Sequence, residues 1–291
     1  MRLAVMADTH GNLPALEAVL EDIAPLHVDS ILVAGDLVGA PGAEETIRLL
    51  RARGAIMIRG NSDTGLLRYN AVPNDHPWRT HRQFALLRWD HRHLNTETLN
   101  YLGSLPEQRV VDIPGTAPIR IFHGAPWDAS FGLDPDEEPE MLDRAFAQTV
   151  EQVLLCGHTH VPWQREKDGR LALNPGSVAG PLNGDMRAQY AFLAWQHGRW
   201  DAEHRAVPYD LSRIRADFQE SGLLEEGGVL AQSWLLSIET GRDVTREFLT
   251  YAYRLAEEAG FKDCDAVPDE VWDRAAETFP WERFAAMHVA D

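Results

Sequence analysis

Apolar residues fall in short continuous runs through the first two thirds of the chain and in spaced stripes through the last third. The run at residues 2–7 predicts a buried strand, followed by a loop at 8–12. Asn12 is placed to cap a helix over residues 13–24, where Leu13, Leu16, Leu20 and Ile23 recur on one face. Pro14 suits the first turn of that helix, because the N–H it lacks would be unpaired there. Residues 30–34 predict a second strand, 43–53 a second helix and 55–58 a third strand. Strand, helix, strand, helix, strand is the order of an α/β fold with a parallel sheet and crossover helices.

The pattern then changes. Residues 64–105 are rich in His, Arg, Trp and Asn and predict helical segments with loops, an insert placed to roof a cleft. Strands are expected at 109–111, 118–122 and 153–156, with a helix at 139–149. Further strands are expected at 171–173, 190–195 and 199–205, with a tight turn at Gln196-His197-Gly198. Beyond Pro208 the periodicity is helical, at 211–218, 230–238 and 244–259. In the last of these, Val244, Phe248, Ala252, Leu255 and Ala259 form a stripe. Trp234, Trp272, Phe279, Trp281 and Phe284 add bulk, so this tail is expected to pack. The division is therefore a catalytic domain at 1–207 and a helical extension at 208–291. The extension either packs on the catalytic domain or forms a homodimer surface.

Charge narrows the partners. Twenty-seven basic residues against 45 acidic ones give a net charge of −18, which opposes association with nucleic acid. No apolar stretch is long enough to cross a membrane. Two cysteines, Cys156 and Cys264, make no disulfide framework, and Cys156 reads as a small buried hydrophobe. The first strand starts at Arg2 and leaves no room for a cleavable leader, so a cytoplasmic location is expected.

Five short motifs fall at the ends of apolar runs: Asp8-Thr9-His10, Gly35-Asp36, Gly60-Asn61, His123-Gly124 and Gly157-His158-Thr159-His160. The ends of parallel strands are where open α/β sheets place their sites. Asp8 and His10 alternate about Thr9 and can meet one ion; Asp36 has two oxygens and can bridge two. Asn61 adds a neutral oxygen, and His123, His158 and His160 complete seven candidate metal ligands. Mixed imidazole and carboxylate ligation suits Mn, Fe, Zn, Ni or Co rather than Ca. Two such ions can clamp a phosphoryl group and supply a bridging hydroxide for in-line attack on phosphorus.

Asp-x-His, Gly-Asp, Gly-Asn, a lone His-Gly and Gly-His-x-His in this order resemble the calcineurin-like metallophosphoesterases. Residues 7–16, 174–178 and 184–188 are similar to the compact bacterial and archaeal phosphodiesterase branch, and the resemblance spans about residues 1–207. It implies two facing mixed sheets flanked by helices. It also implies one ion, with manganese the first choice, on Asp8, His10, Asp36 and His160. A second would sit on Asp36, Asn61, His123 and His158, with the turn at 174–177 supporting the rim. Asp36, Asn61, Asp63 and His123 are the residues assigned to catalysis. Many members carry His after Gly-Asn, where it protonates the leaving group or steadies the phosphate; here that position is Ser62. Arg59, His76 and His81 are the candidates to replace its charge, and a missing acid favours esters with good leaving groups.

The expected activity is phosphodiester hydrolysis of a small phosphorylated substrate. A nucleoside polyphosphate (dinucleoside tetraphosphate-type) hydrolase, with Trp78 or Trp89 stacking a base, and a protein phosphatase are the alternatives within enzymes. A catalytically retired scaffold of the same fold is the alternative outside them.

Overall fold

The computed structural model describes residues 1–262 and 265–285; Cys264 lies outside these. The front of the chain runs β1 (Arg2–Met6), α1 (Leu13–Ile23), β2 (Ser30–Val33), α2 (Ala43–Ala52), β3 (Ile56–Met57) and α3 (Asn61–Arg68). The insert adds α4 (Pro77–Thr80), α5 (Ala85–His93) and α6 (Thr96–Ser104). Next come β4 (Gln108–Val111), β5 (Ile119–Phe122), α7 (Pro139–Ala147), β6 (Val153–Leu155), β7 (Trp163–Lys167), β8 (Arg170–Asn174), β9 (Ala188–Gln196) and β10 (Arg199–Val207). The extension holds α8 (Leu211–Glu220), α9 (Leu223–Glu226), α10 (Gly228–Thr240), α11 (Val244–Glu258), α12 (Asp269–Thr278) and α13 (Glu282–Ala285).

Among the described residues, ten strands form two mixed sheets, ordered β10-β9-β1-β2-β3 and β4-β5-β6-β8-β7. β1, β2 and β3 are parallel, as are β5, β6 and β8, so their C-terminal ends point the same way within each sheet. Side chains alternate faces along a strand, and β1 shows the consequence. Leu3 and Val5 join Ile119, Ile121, Val153 and Leu155 in the core between the sheets. Ala4 and Met6 face the other way, onto Leu16, Val19 and Ile47 of α1 and α2. The outer face of the second sheet packs Phe122, Leu154 and Cys156 against Leu142 and Phe146 of α7. Both sheets are thus covered on both faces, which is why their central strands are continuous apolar runs rather than alternating ones.

Asn12 caps α1 as expected: its side-chain oxygen accepts from the Ala15 N–H. β7 was not expected. Its sequence, Trp163-Gln164-Arg165-Glu166-Lys167, is too charged for a core-strand pattern, and it lies at a sheet edge, where charge discourages unwanted pairing. In α11 the stripe is Val244, Phe248, Ala252, Leu255 and Ala256; Ala259 is exposed just past the helix end.

The extension has two buried clusters. Ile214, Phe218, Leu223, Ala231, Leu235 and Ile238 pack with Ala40 and Trp89, tying α8–α10 to the sheet loops and the insert. Phe248, Trp272, Phe279 and Phe284 form an aromatic core of their own. Arg82 of the insert pairs with Asp269 and Asp273 of α12.

Candidate metal centre

The chain turns sharply where each strand delivers a ligand. Asp8 (φ 54°), His10 (φ 38°), Asp36 (φ 54°), His158 (φ 70°) and His160 (φ 58°) all adopt left-handed backbone. These are five of only eight non-glycine residues that do so among the described residues, so strain concentrates at this rim. Nothing in composition or periodicity announces it. Gly60 is required for space, since a Cβ there would sit 2.0 Å from Asp36 Oδ1. A Cβ on Gly157 would meet Ala7 Cβ at 2.7 Å and Asp8 Oδ2 at 2.9 Å.

The strand ends bring Asp8, His10 and His160 together, and Asp8, Asp36 and His123 together, the ligand atoms of each trio within 4.8 Å of one another. Asp36 Oδ2 lies 3.6 Å from His10 Nε2 and 3.3 Å from His123 Nε2. Asp8 Oδ1 lies 3.5 Å from His160 Nε2 and 3.8 Å from His123 Nε2. His158 Nδ1 is 2.8 Å from Asn61 Oδ1, and its ring meets that of His123 edge-on at 5.3 Å.

Whether cations fit is decided by the imidazoles. His10, His123 and His160 each turn Nδ1 onto a backbone carbonyl, of Val38 (2.8 Å), Ala34 (2.7 Å) and Gly180 (2.7 Å). A carbonyl only accepts, so Nδ1 carries the proton and, in the neutral ring, Nε2 presents a bare lone pair. The Nε2 atoms of His10 and His160 then face each other at 3.3 Å, two lone pairs with no proton between them. His123 Nε2 is fully buried without a hydrogen-bond partner. Ligating histidines are held in this way, with one nitrogen anchored and the other free for the ion.

The charges agree. Burial works to raise the Asp36 carboxyl, but the charge of His123, 3.3 Å away, outweighs it, helped by His10 and His158, and holds it well below the usual range. Burial pulls His123 down, yet Asp36 and Asp8 lift it to about 10, so without an ion a proton occupies the Nε2 that an ion would take. Asp8 is pushed up to about 8, chiefly by burial. His158 and His160 fall to about 4 and about 3, again by burial first, and so remain neutral donors at pH 7.

Supporting contacts complete the rim. The Ser62 N–H and Oγ–H donate to the two oxygens of Asp36, each at 2.9 Å. Asp63 is buried and accepts from the Gly60, Leu37 and Val38 N–H groups. It therefore helps to hold Val38, whose carbonyl anchors His10. Asn174 Nδ2 donates to Gly157 O (2.7 Å) and Thr159 Oγ1 (3.0 Å), and Ser177 Oγ donates to Asp8 O (3.0 Å).

Above the centre opens a cleft of about 1140 Å³, reached by His10, Asp36, Asn61, His158 and His160. The insert walls it with Trp78, Phe84, Leu87 and Asp90; the extension walls it with Leu230, Trp234, Arg246 and Leu249. Trp234 sets its ring edge-on to both His10 and His160, at 5.3 and 5.8 Å. Sequence reading missed this contribution, because a helix-stripe tryptophan carries no sign of what it faces. Asp134, Glu137 and Glu138 reach the rim from a largely exposed loop.

Three expected substitutes for the missing histidine lie elsewhere. Arg59 donates to Leu105 O and pairs with Glu107, His76 caps the Trp78 N–H, and His81 meets Thr80 Oγ1. Trp89 is buried and stacks on His93 rather than on the cleft.

Two overlapping clusters of buried carboxylates and imidazoles, at the C-terminal ends of strands in two facing sheets, have the donor set of a metal-dependent hydrolase of phosphoric esters. Comparison with known proteins gives the family. The calcineurin-like phosphoesterase superfamily domain matches residues 1–198, and the chain belongs to that family. It is 29% identical over 208 residues to the phosphodiesterase YfcE of Escherichia coli strain K12, a match covering 66% of this chain and 87% of that protein. It is 28% identical over 233 residues to the uncharacterized protein MJ0912 of Methanocaldococcus jannaschii, covering 72% and 89%. Among solved structures, a metallophosphoesterase from Sphaerobacter thermophilus aligns with a TM-score of 0.67 and 28% identity, over 83% of this chain and 99% of that one.

Proposed function

We propose that this chain is a manganese-supported phosphodiesterase acting on small phosphodiesters. Asp8, His10, Asp36 and His160 would hold one ion and Asp36, Asn61, His123 and His158 the other. The observation that carries this is the convergence of the His10, His123 and His160 Nε2 atoms on the Asp8 and Asp36 carboxylates, with the Nε2 atoms of His10 and His160 opposed at 3.3 Å. The bound ions supply a low-pKa water and polarise the phosphoryl oxygens.

The chain's own residues do the rest. The carbonyls of Val38, Ala34 and Gly180 lock the imidazoles, and Ser62 orients Asp36. Asp63 acts through the loops it ties, as a positioning residue. Trp78, Phe84, Leu230 and Trp234 narrow the approach and shed water from the ester. Walls on two sides support a small substrate over a phosphoprotein. The acids at the rim oppose polyanions, which weighs against nucleic acid and polyphosphate chains. The division at residue 207, with the extension serving the cleft, fits the inward-facing aromatic core of α11–α13 better than a dimer surface does. Free Cys156 fits a cytoplasmic setting.

Assay of the purified chain on bis(4-nitrophenyl) phosphate with Mn²⁺ tests the proposal. Metal-dependent turnover at or above about 1 s⁻¹, within the ordinary enzymatic range, is expected. Absence of hydrolysis with Mn, Fe, Zn, Ni and Co alike would leave a scaffold in place of an enzyme.

A further inference from the structure

Asp90 is a buried acid outside the metal centre, and unlike Glu151 and Glu239 it has no basic partner among the described residues. It projects from α5, is only 6% exposed, and lines the cleft with Asp36, Asn61, Ser62 and Gly65. α5 packs on α3, the helix that begins at Asn61 and carries Ser62. Among the described residues no donor reaches the Asp90 carboxyl; its interaction with a charged group is with Asp63, which is repulsive. A buried carboxyl without a donor is stable only when it keeps its own proton.

The elements around it offer no cation. On α4, Arg79 is spent on the Tyr69 and Val72 carbonyls. Arg82 pairs with Asp273, Arg88 donates to Trp78 O and His81 O, and Arg92 pairs with Glu226 of α9. Glu239 of α10 is paired with Arg215, while Arg68 at the far end of α3 and Glu225 are exposed. His91 is drawn down by burial and by Arg79, and His93 is bonded to Trp89 O. Burial, with Asp63 adding, raises Asp90 to about 8.

We propose that Asp90 is the proton donor to the leaving-group oxygen, supplying from the insert the acid that position 62 lacks. The inference rests on the phosphodiesterase reading above. As the water-derived oxygen bonds to phosphorus, the bond from phosphorus to the leaving oxygen breaks with its electron pair. That oxygen takes the Asp90 proton and departs as an alcohol or phenol. The carboxylate regains a proton from solvent, and the proton shed by the attacking water returns to solvent, so the cycle balances as ester plus water.

The test compares methyl phenyl phosphate with methyl 4-nitrophenyl phosphate as substrates of wild type and Asp90→Asn, both loaded with Mn²⁺. The phenyl ester needs protonation and the nitrophenyl ester does not. Asp90→Asn is expected to lower kcat on the phenyl ester about 100-fold, the lower end for a general acid, and to leave the nitrophenyl ester within about fivefold. Wild type should show a shallow leaving-group dependence at pH 7 that steepens above about pH 8. Equal losses on both esters, or none on either, overturn the assignment of Asp90 while leaving the phosphodiesterase reading intact. Hydrolysis of neither ester by wild type overturns both.

A second measurement needs no turnover. An unfolded aspartate titrates near 3.8, whereas this one holds its proton to about 8 in the fold. Between those values the folded chain binds the extra proton, so stability through this group falls as pH rises. Asn has nothing to lose, so the Tm of Asp90→Asn relative to wild type should climb steadily from pH 4 to pH 8. A constant difference means an ordinary carboxylate, and the proposal fails.

Discussion

Asp36→Asn is expected to abolish hydrolysis, lowering kcat/KM by about 10³-fold or more, equivalent to roughly 4 kcal/mol of lost transition-state stabilisation. The substitution keeps the shape and removes the charge. Asp36 Oδ2 stands between His10 Nε2 and His123 Nε2, so it is the single oxygen that both ions would share. Without that charge, each proposed site loses its bridging anion. His123 also loses the larger of the two carboxylate charges that lift it to about 10, so its value is expected to fall. Steady-state kinetics with metal analysis of the same sample checks the prediction. Full metal content with near-normal kcat would remove Asp36 from its central position.

Stripping the ions with a chelator should cost both activity and stability. Ion-free, the site leaves two lone pairs opposed at 3.3 Å and two buried carboxylates close to one histidine. At a hundredfold over its dissociation constant each ion adds about 2.7 kcal/mol, a rise of roughly 4–5 °C in Tm for a chain of this size. Uptake must displace the protons on His123 and, below about pH 8, on Asp8. Apparent affinity should therefore rise with pH through the neutral range. Calorimetric Tm, activity and proton release, measured before and after adding Mn²⁺ back, check this together. A Tm and an activity indifferent to chelation would contradict it.

Much of this site is legible in the chain because parallel strands fix it. A ligand placed just after an apolar run must emerge at the rim, so Asp8, Asp36, Asn61 and His123 need little tertiary information. That these strands are covered on both faces also follows, since runs such as 31–34 and 153–155 are apolar throughout, whereas the two facing sheets are implied only by the family resemblance. What stays hidden depends on contacts far apart in sequence. Trp234 meets His10 across more than two hundred residues, and its stripe looks like any other core stripe. Asp90 sits in a polar, His-rich insert where a buried acid leaves no local mark. β7 is hidden for a different reason: an edge strand is held by its neighbour β8, not by its own pattern. The left-handed turns at Asp8, His10, Asp36, His158 and His160 are likewise unannounced, since none of these is a glycine.

Crystals grown with Mn²⁺ and measured on both sides of the manganese absorption edge give the most direct test. Two anomalous peaks roughly 3.5–4 Å apart, with the Asp36 carboxylate between them and Asn61 and the 158 and 160 imidazoles around them, are the predicted result. One peak, or peaks that do not touch Asp36, would contradict it.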